Sequence, residues 1–74
     1  MTKLPVVSGE EVTRALARVG FVEVSQRGSH VKMRHPDGPT TIVPMHRELR
    51  MGTLRSICRQ AKLTVDEFKA LLEH

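Results

Sequence analysis

The sequence predicts an α+β fold: a three-stranded antiparallel sheet with helices on one face, in the order α-β-β-β-α(-α). Three observations carry the prediction. Apolar residues recur at helical spacing toward both ends of the chain. Between them lie three short strand-like runs, one of them strictly alternating. Short turns built from Gly, Ser, Pro and Asp separate those runs, and a meander backed by helices is the economical way to bury one face of each.

The elements follow in order. Ser8 with Glu11 is a capping-box pattern, in which each side chain satisfies the other's backbone N–H, and it opens the first helix. Val12, Ala15, Leu16 and Val19 then fall at i, i+3, i+4 and i+7 and form one apolar stripe. Gly20 ends it, as glycine does just past a helix. "FVEVSQR" is rich in β-branched and aromatic residues and reads as a strand. Gly28-Ser29 makes a turn. In "HVKMR" the side chains alternate, so Val31 and Met33 point one way and His30, Lys32 and Arg34 the other. "HPDGP" is a second turn. "TTIV" is a third strand, stopped by Pro44. "MHRELRMG" reads as irregular. Thr53 is then expected to cap a second helix bearing Leu54, Ile57, Cys58 and Ala61. Thr64 with Glu67 repeats the capping box and opens a last helix bearing Val65, Phe68, Leu71 and Leu72.

At 74 residues the chain is expected to be one domain, 1–74. A domain this short buries only about 60% of its unfolded surface, so an oligomer or a partner would add stability. No apolar run approaches the roughly 20 residues of a membrane helix. The N-terminus lacks the apolar core of a signal peptide. The one cysteine, Cys58, cannot form an internal disulfide. These features predict a cytoplasmic protein. The final Leu-Glu-His resembles the start of an affinity tag, so His74 is given no role.

The net charge of +4 is unevenly placed. Residues 26–62 hold Arg27, Lys32, Arg34, Arg47, Arg50, Arg55, Arg59 and Lys62 against only Asp37 and Glu48. A cationic middle of this kind favours a polyanion, nucleic acid or an acidic protein, over a merely soluble surface. There is no Trp or Tyr, and both Phe residues fall at core positions. A base-stacking platform is therefore absent, which argues for backbone contact rather than single-strand reading.

His30 stands at a strand start on the polar face, with Lys32 and Arg34 roughly 7 Å and 14 Å along the same strand. An exposed histidine is usually only that; its cationic neighbours change the reading. RNA carries its own nucleophile, the 2′-hydroxyl. Its cleavage needs that proton removed, the phosphate charge neutralised and the leaving 5′-oxygen protonated. Histidine serves as base or acid, and lysine and arginine stabilise the charge. Lys32 and Arg34, with Arg27, Arg47, Arg55 and Arg59, are the expected phosphate contacts. The pairs Arg14/Arg18 and Arg55/Arg59 place like charges one helical turn apart, which suits a phosphate backbone. One histidine leaves the second proton-transfer role open, and His35 is the nearest spare imidazole. The histidines match no zinc spacing and Cys58 sits on an apolar stripe, so neither metal nor cofactor is expected.

Along nearly its whole length the sequence resembles the HicA family of bacterial toxins. The resemblance rests on "RGSHVKMRHPDG", with its Gly-Ser-His turn and His-Pro-Asp-Gly hairpin, then the Val-Pro-x-His segment and Gly-Thr-Leu-Arg-x-Ile, all in family order. It implies a fold similar to the double-stranded-RNA-binding domain. It implies a metal-independent endoribonuclease that cleaves mRNA as the toxin of a toxin–antitoxin pair, and a HicB-type antitoxin partner. The family's functional histidine corresponds to His30; the resemblance assigns no role to Lys32 or Arg34. A toxin–antitoxin hetero-oligomer or a homo-oligomer is compatible with it. The rival reading is a non-catalytic RNA-binding or partner-binding module on the same scaffold.

Overall fold

Local rules place most of the backbone. A computed structural model describes residues 3–73; His74 lies outside them. The elements are α1 (Gly9–Ala17), β1 (Val22–Arg27), β2 (His30–Arg34), β3 (Thr40–Pro44), α2 (Met51–Gln60) and α3 (Val65–Leu72). The strands form one antiparallel sheet in the order β1-β2-β3, as the meander requires.

Both capping boxes form. Ser8 Oγ accepts from the Glu11 N–H at 3.1 Å, and Glu11 Oε1 accepts from the Ser8 N–H at 3.0 Å. Thr64 Oγ1 accepts from the Glu67 N–H at 3.1 Å, and Glu67 returns the contact at 2.7 Å. Each box satisfies two of the donors that a helix N-terminus leaves unpaired. The chain leaves α1 through Gly20, whose φ of +102° suits glycine.

The start of α2 differs from expectation. Thr53 is not the cap; the helix begins three residues earlier than that cap implies, at Met51, with Arg50 in the capping position and no side-chain cap bond. Tertiary anchoring explains this. Leu49 is buried, and its N–H donates to the Val7 carbonyl at 2.9 Å. That pin turns the chain into the helix, and the ladder starts at once with Leu54 N–H to the Arg50 carbonyl, 3.0 Å.

The core lies between the helices and one face of β2 and β3. Val31 and Met33 meet Val43 there, with Val12, Leu16, Leu54, Ile57, Cys58 and Phe68 closing over them. Phe68 is fully buried, which is worth about 1.5–3 kcal/mol. Thr41 is a buried polar side chain on this face, and its hydroxyl donates to Gln60 Oε1 at 2.6 Å, tying β3 to α2. An Arg18 guanidinium N–H donates to the Leu71 carbonyl and ties α1 to α3.

β1 is handled differently. All six of its residues are exposed. Its pairing with β2 slips between Glu23 and Ser25, so Val24 is an extra, bulged residue. The helices do not cover its inner side. A groove of about 520 Å³ runs there between α1 and the sheet, lined by Thr13, Ala17, Phe21, Val22, Glu23 and Met33 among others.

Candidate active site

The sheet face turned away from the helices is built on β2. His30 and Arg34 are exposed there and Lys32 is half-buried, while Val31 and Met33 enter the core, as the alternation predicts. Pairing across the sheet sets their neighbours. His30 lies between Arg27 of β1 and Pro44 of β3, Lys32 between Ser25 and Ile42, and Arg34 between Val22 and Thr40. Directly opposed residues in such ladders hold their side chains about 5 Å apart on the same face.

The outcome is a recess of about 350 Å³ lined by Ser25, Arg27, His30, Lys32 and Ile42. Thus Arg27 and Lys32 flank the imidazole of His30. Arg34 shares the face but stands farther along, its Nε donating to Thr40 Oγ1 at 3.4 Å. Arg47 is exposed in the segment after β3 and borders a second hollow with Ser8, Glu10, Met45 and His46. Arg55 and Arg59 are exposed on α2. That helix packs on the opposite side of the sheet, so they do not line the recess. Arg14 and Arg18 also lie in the helical layer. Arg14 pairs with Glu10 at 3.3 Å, and Arg18 holds α3.

The spare imidazole is not His35. Its Nδ1 accepts from the Asp37 N–H at 3.1 Å, leaving Nε2 to donate to the Val19 carbonyl at 3.0 Å. Its ring meets Phe21 edge-on at 5.2 Å. Both nitrogens are engaged, and the ring follows the far end of β2, roughly 16 Å of strand from His30. It latches the turn after α1 to the turn between β2 and β3.

The imidazole that stands near His30 is that of His46. Its ring lies 6.4 Å from that of His30, centroid to centroid, at 75° between planes. Backbone bonds hold the two together. The Ser29 carbonyl accepts from the Met45 N–H, and the His46 carbonyl accepts from the Gly9 N–H at 2.9 Å. A Cβ on Gly9 would fall 2.1 Å from the Pro44 oxygen, so only glycine lets α1 approach this segment so closely. The signal was in the register: Pro44 is the partner of His30, and His46 follows it by two residues.

Among the described residues, no three His, Cys, Asp or Glu side chains are grouped to hold a metal ion. Cys58 is buried, and its Sγ donates to the Leu63 carbonyl at 3.1 Å. Desolvation pushes the thiol's pKa up, and the nearby Glu67 charge adds to this, which disfavours the thiolate form. Among the described residues no helix is long and apolar enough to cross a membrane.

No curated protein matches the chain. The family described as the HicA toxin of bacterial toxin–antitoxin systems matches residues 9–63. That span runs from the Gly9 contact through all three strands and α2, and it contains both His30 and His46. The chain therefore belongs to the HicA family of bacterial toxin–antitoxin toxins.

Proposed function

We propose that this toxin is an endoribonuclease that cleaves mRNA without a metal, using the 2′-hydroxyl of the substrate as nucleophile. The observation that carries the reading is the recess that gathers His30 with Arg27 and Lys32 on an open sheet face. A phosphodiester seated between the two cations has its charge neutralised where charge grows in the transition state. His30 then moves a proton at the reacting oxygens. The 2′-oxygen bonds to phosphorus, the bond from phosphorus to the 5′-oxygen breaks, and the products are a 2′,3′-cyclic phosphate and a free 5′-hydroxyl. One proton leaves the 2′-oxygen and one arrives on the 5′-oxygen, so the step balances without water or metal.

Arg34 and Arg47 extend the cationic surface beyond the recess and hold neighbouring phosphates. Arg55 and Arg59 lie on the other side of the sheet and serve only an RNA long enough to wrap the domain edge. The toxin acts on cytoplasmic transcripts. Its antitoxin is a HicB-type protein whose acidic groups compete with RNA for the cations around His30.

The test is His30→Ala. The side chain is exposed, so the variant keeps its fold, which circular dichroism verifies. With purified protein and RNA in EDTA, cleavage to cyclic-phosphate ends falls by about 10²–10⁴-fold. RNA affinity and its steep salt dependence largely remain. Cleavage at the wild-type rate by the variant rejects the assignment. Salt-sensitive binding by the wild type without any cleavage establishes a non-catalytic RNA-binding module instead.

A further inference from the structure

We propose that His46 is the second proton-transfer group of this site, a catalytic residue that works opposite His30 on the same phosphodiester. The inference rests on the ribonuclease reading above. That reaction needs two proton movements at two different oxygens, and one imidazole at one position serves only one of them well.

The geometry meets the need. In-line displacement at phosphorus puts the attacking and leaving oxygens on opposite sides of the phosphate. Each must lie within about 3 Å of the group that takes or gives its proton. Two such groups have to flank a gap one phosphate wide. Ring centroids 6.4 Å apart, with the planes at 75°, leave such a gap between His30 and His46. Both side chains are exposed, so an RNA strand reaches them from outside. Arg27 and Lys32 stand on the His30 side of this gap, while Arg47 follows His46 in the chain and borders the neighbouring hollow with it.

The segment carrying His46 is fixed. β3 ends at Pro44 opposite His30, the Met45 N–H donates to Ser29, and the His46 carbonyl is held by Gly9 at the start of α1. The two rings are thus attached to one backbone lattice rather than to independent loops. This is the preorganisation that proton transfer in a short-lived transition state requires. His35 offers no competing candidate, since both of its nitrogens are taken. A base must start neutral and an acid must start protonated, so the rate of a two-imidazole site falls toward both acid and alkaline pH. Its pH–rate profile is a bell.

The experiment compares His30→Ala and His46→Ala on two RNA oligonucleotides. One has an ordinary phosphodiester. The other carries sulfur in place of the bridging 5′-oxygen, so its leaving group departs without a proton. On ordinary RNA, His46→Ala loses about 10²–10⁴-fold in kcat/KM and one limb of the bell, and His30→Ala loses the other limb. On the sulfur-bridged RNA, one of the two variants recovers most of its rate and the other stays defective. The variant that recovers identifies the acid. His46→Ala at the wild-type rate overturns the proposal. So does a loss with the bell intact and no sulfur rescue of either variant, which reduces His46 to a residue that merely positions His30. If His30→Ala itself cuts at the wild-type rate, the ribonuclease reading fails instead, and the two failures are told apart in the same assay.

Discussion

Gly9→Ala is the substitution whose effect the structure fixes most sharply. Ordinary helix propensity says it should help, since alanine is favoured over glycine by up to about 1 kcal/mol in a helix. The packing says the reverse. The new Cβ would lie 2.1 Å from the Pro44 oxygen, 2.8 Å from the Met45 Cα and 2.9 Å from the Pro44 carbonyl carbon. All three are backbone atoms, so no rotamer change relieves the contact. Either α1 or the Pro44–His46 segment must retreat by about 1 Å, an overpacking cost of about 1–3 kcal/mol. The retreat also weakens the Gly9 N–H bond to the His46 carbonyl, worth about 0.5–1.5 kcal/mol. Set against the propensity gain, the net loss is about 2 kcal/mol, a fall in melting temperature of about 8–16 °C for a domain of this size. The protein has no Trp or Tyr, so far-UV circular dichroism is the probe for urea and thermal unfolding. Gly52→Ala is the control: it sits in the first turn of α2 with nothing within 4 Å of its Cβ position. That variant should be neutral or gain up to about 1 kcal/mol. Gly9→Ala as stable as the wild type would refute the packing account, and with it the claim that α1 fixes the segment bearing His46.

Two further outcomes follow from other contacts. His35→Ala removes two hydrogen bonds and an aromatic contact, so urea unfolding should show a loss of about 2–3 kcal/mol. RNA cleavage per folded molecule stays unchanged, because the ring is remote from the recess; a selective loss of cleavage would contradict the latch role. The Thr64 backbone N–H, and then its hydroxyl, hold the Glu67 carboxyl below the usual glutamate value. A lowered folded-state pKa gives stability that is present above the ordinary glutamate value and lost as pH falls through the folded one. The stability gap between wild type and Glu67→Gln should therefore be open at neutral pH and close in acid, and a gap independent of pH would show that the charged carboxylate adds nothing to this cap.

Much of the backbone was legible because local chemistry decides it. The Ser8/Glu11 and Thr64/Glu67 boxes need only residues within one turn, and the alternation in β2 needs only its own five residues. Thr53 misled because the start of α2 is set by the anchoring of Leu49 to Val7, more than forty positions away in sequence. The same limit governs the site. His30 and Lys32 share a strand face and were found together. His46 was passed over and His35 favoured, because nearness along the chain stood in for nearness in space. Only the β2–β3 register puts His46 beside His30, and only the turn contacts show His35 committed to Val19 and Asp37. The basic pair on α2 was grouped with the site by charge, a property that does not say on which side of a sheet a helix packs.

The bulge at Val24 determines which cation stands by His30. From Val22 the side chains of an unbroken strand would alternate so that Arg27 pointed to the inner face of the sheet, away from His30. The extra residue shifts that phase by one step, and Ser25 and Arg27 come round to the outer surface beside Lys32 and His30. A single extra residue at an edge strand thus decides whether an arginine stands beside His30 or is carried to the other side of the sheet. Deleting Val24 would invert the charge pattern of this strand while leaving its composition almost untouched.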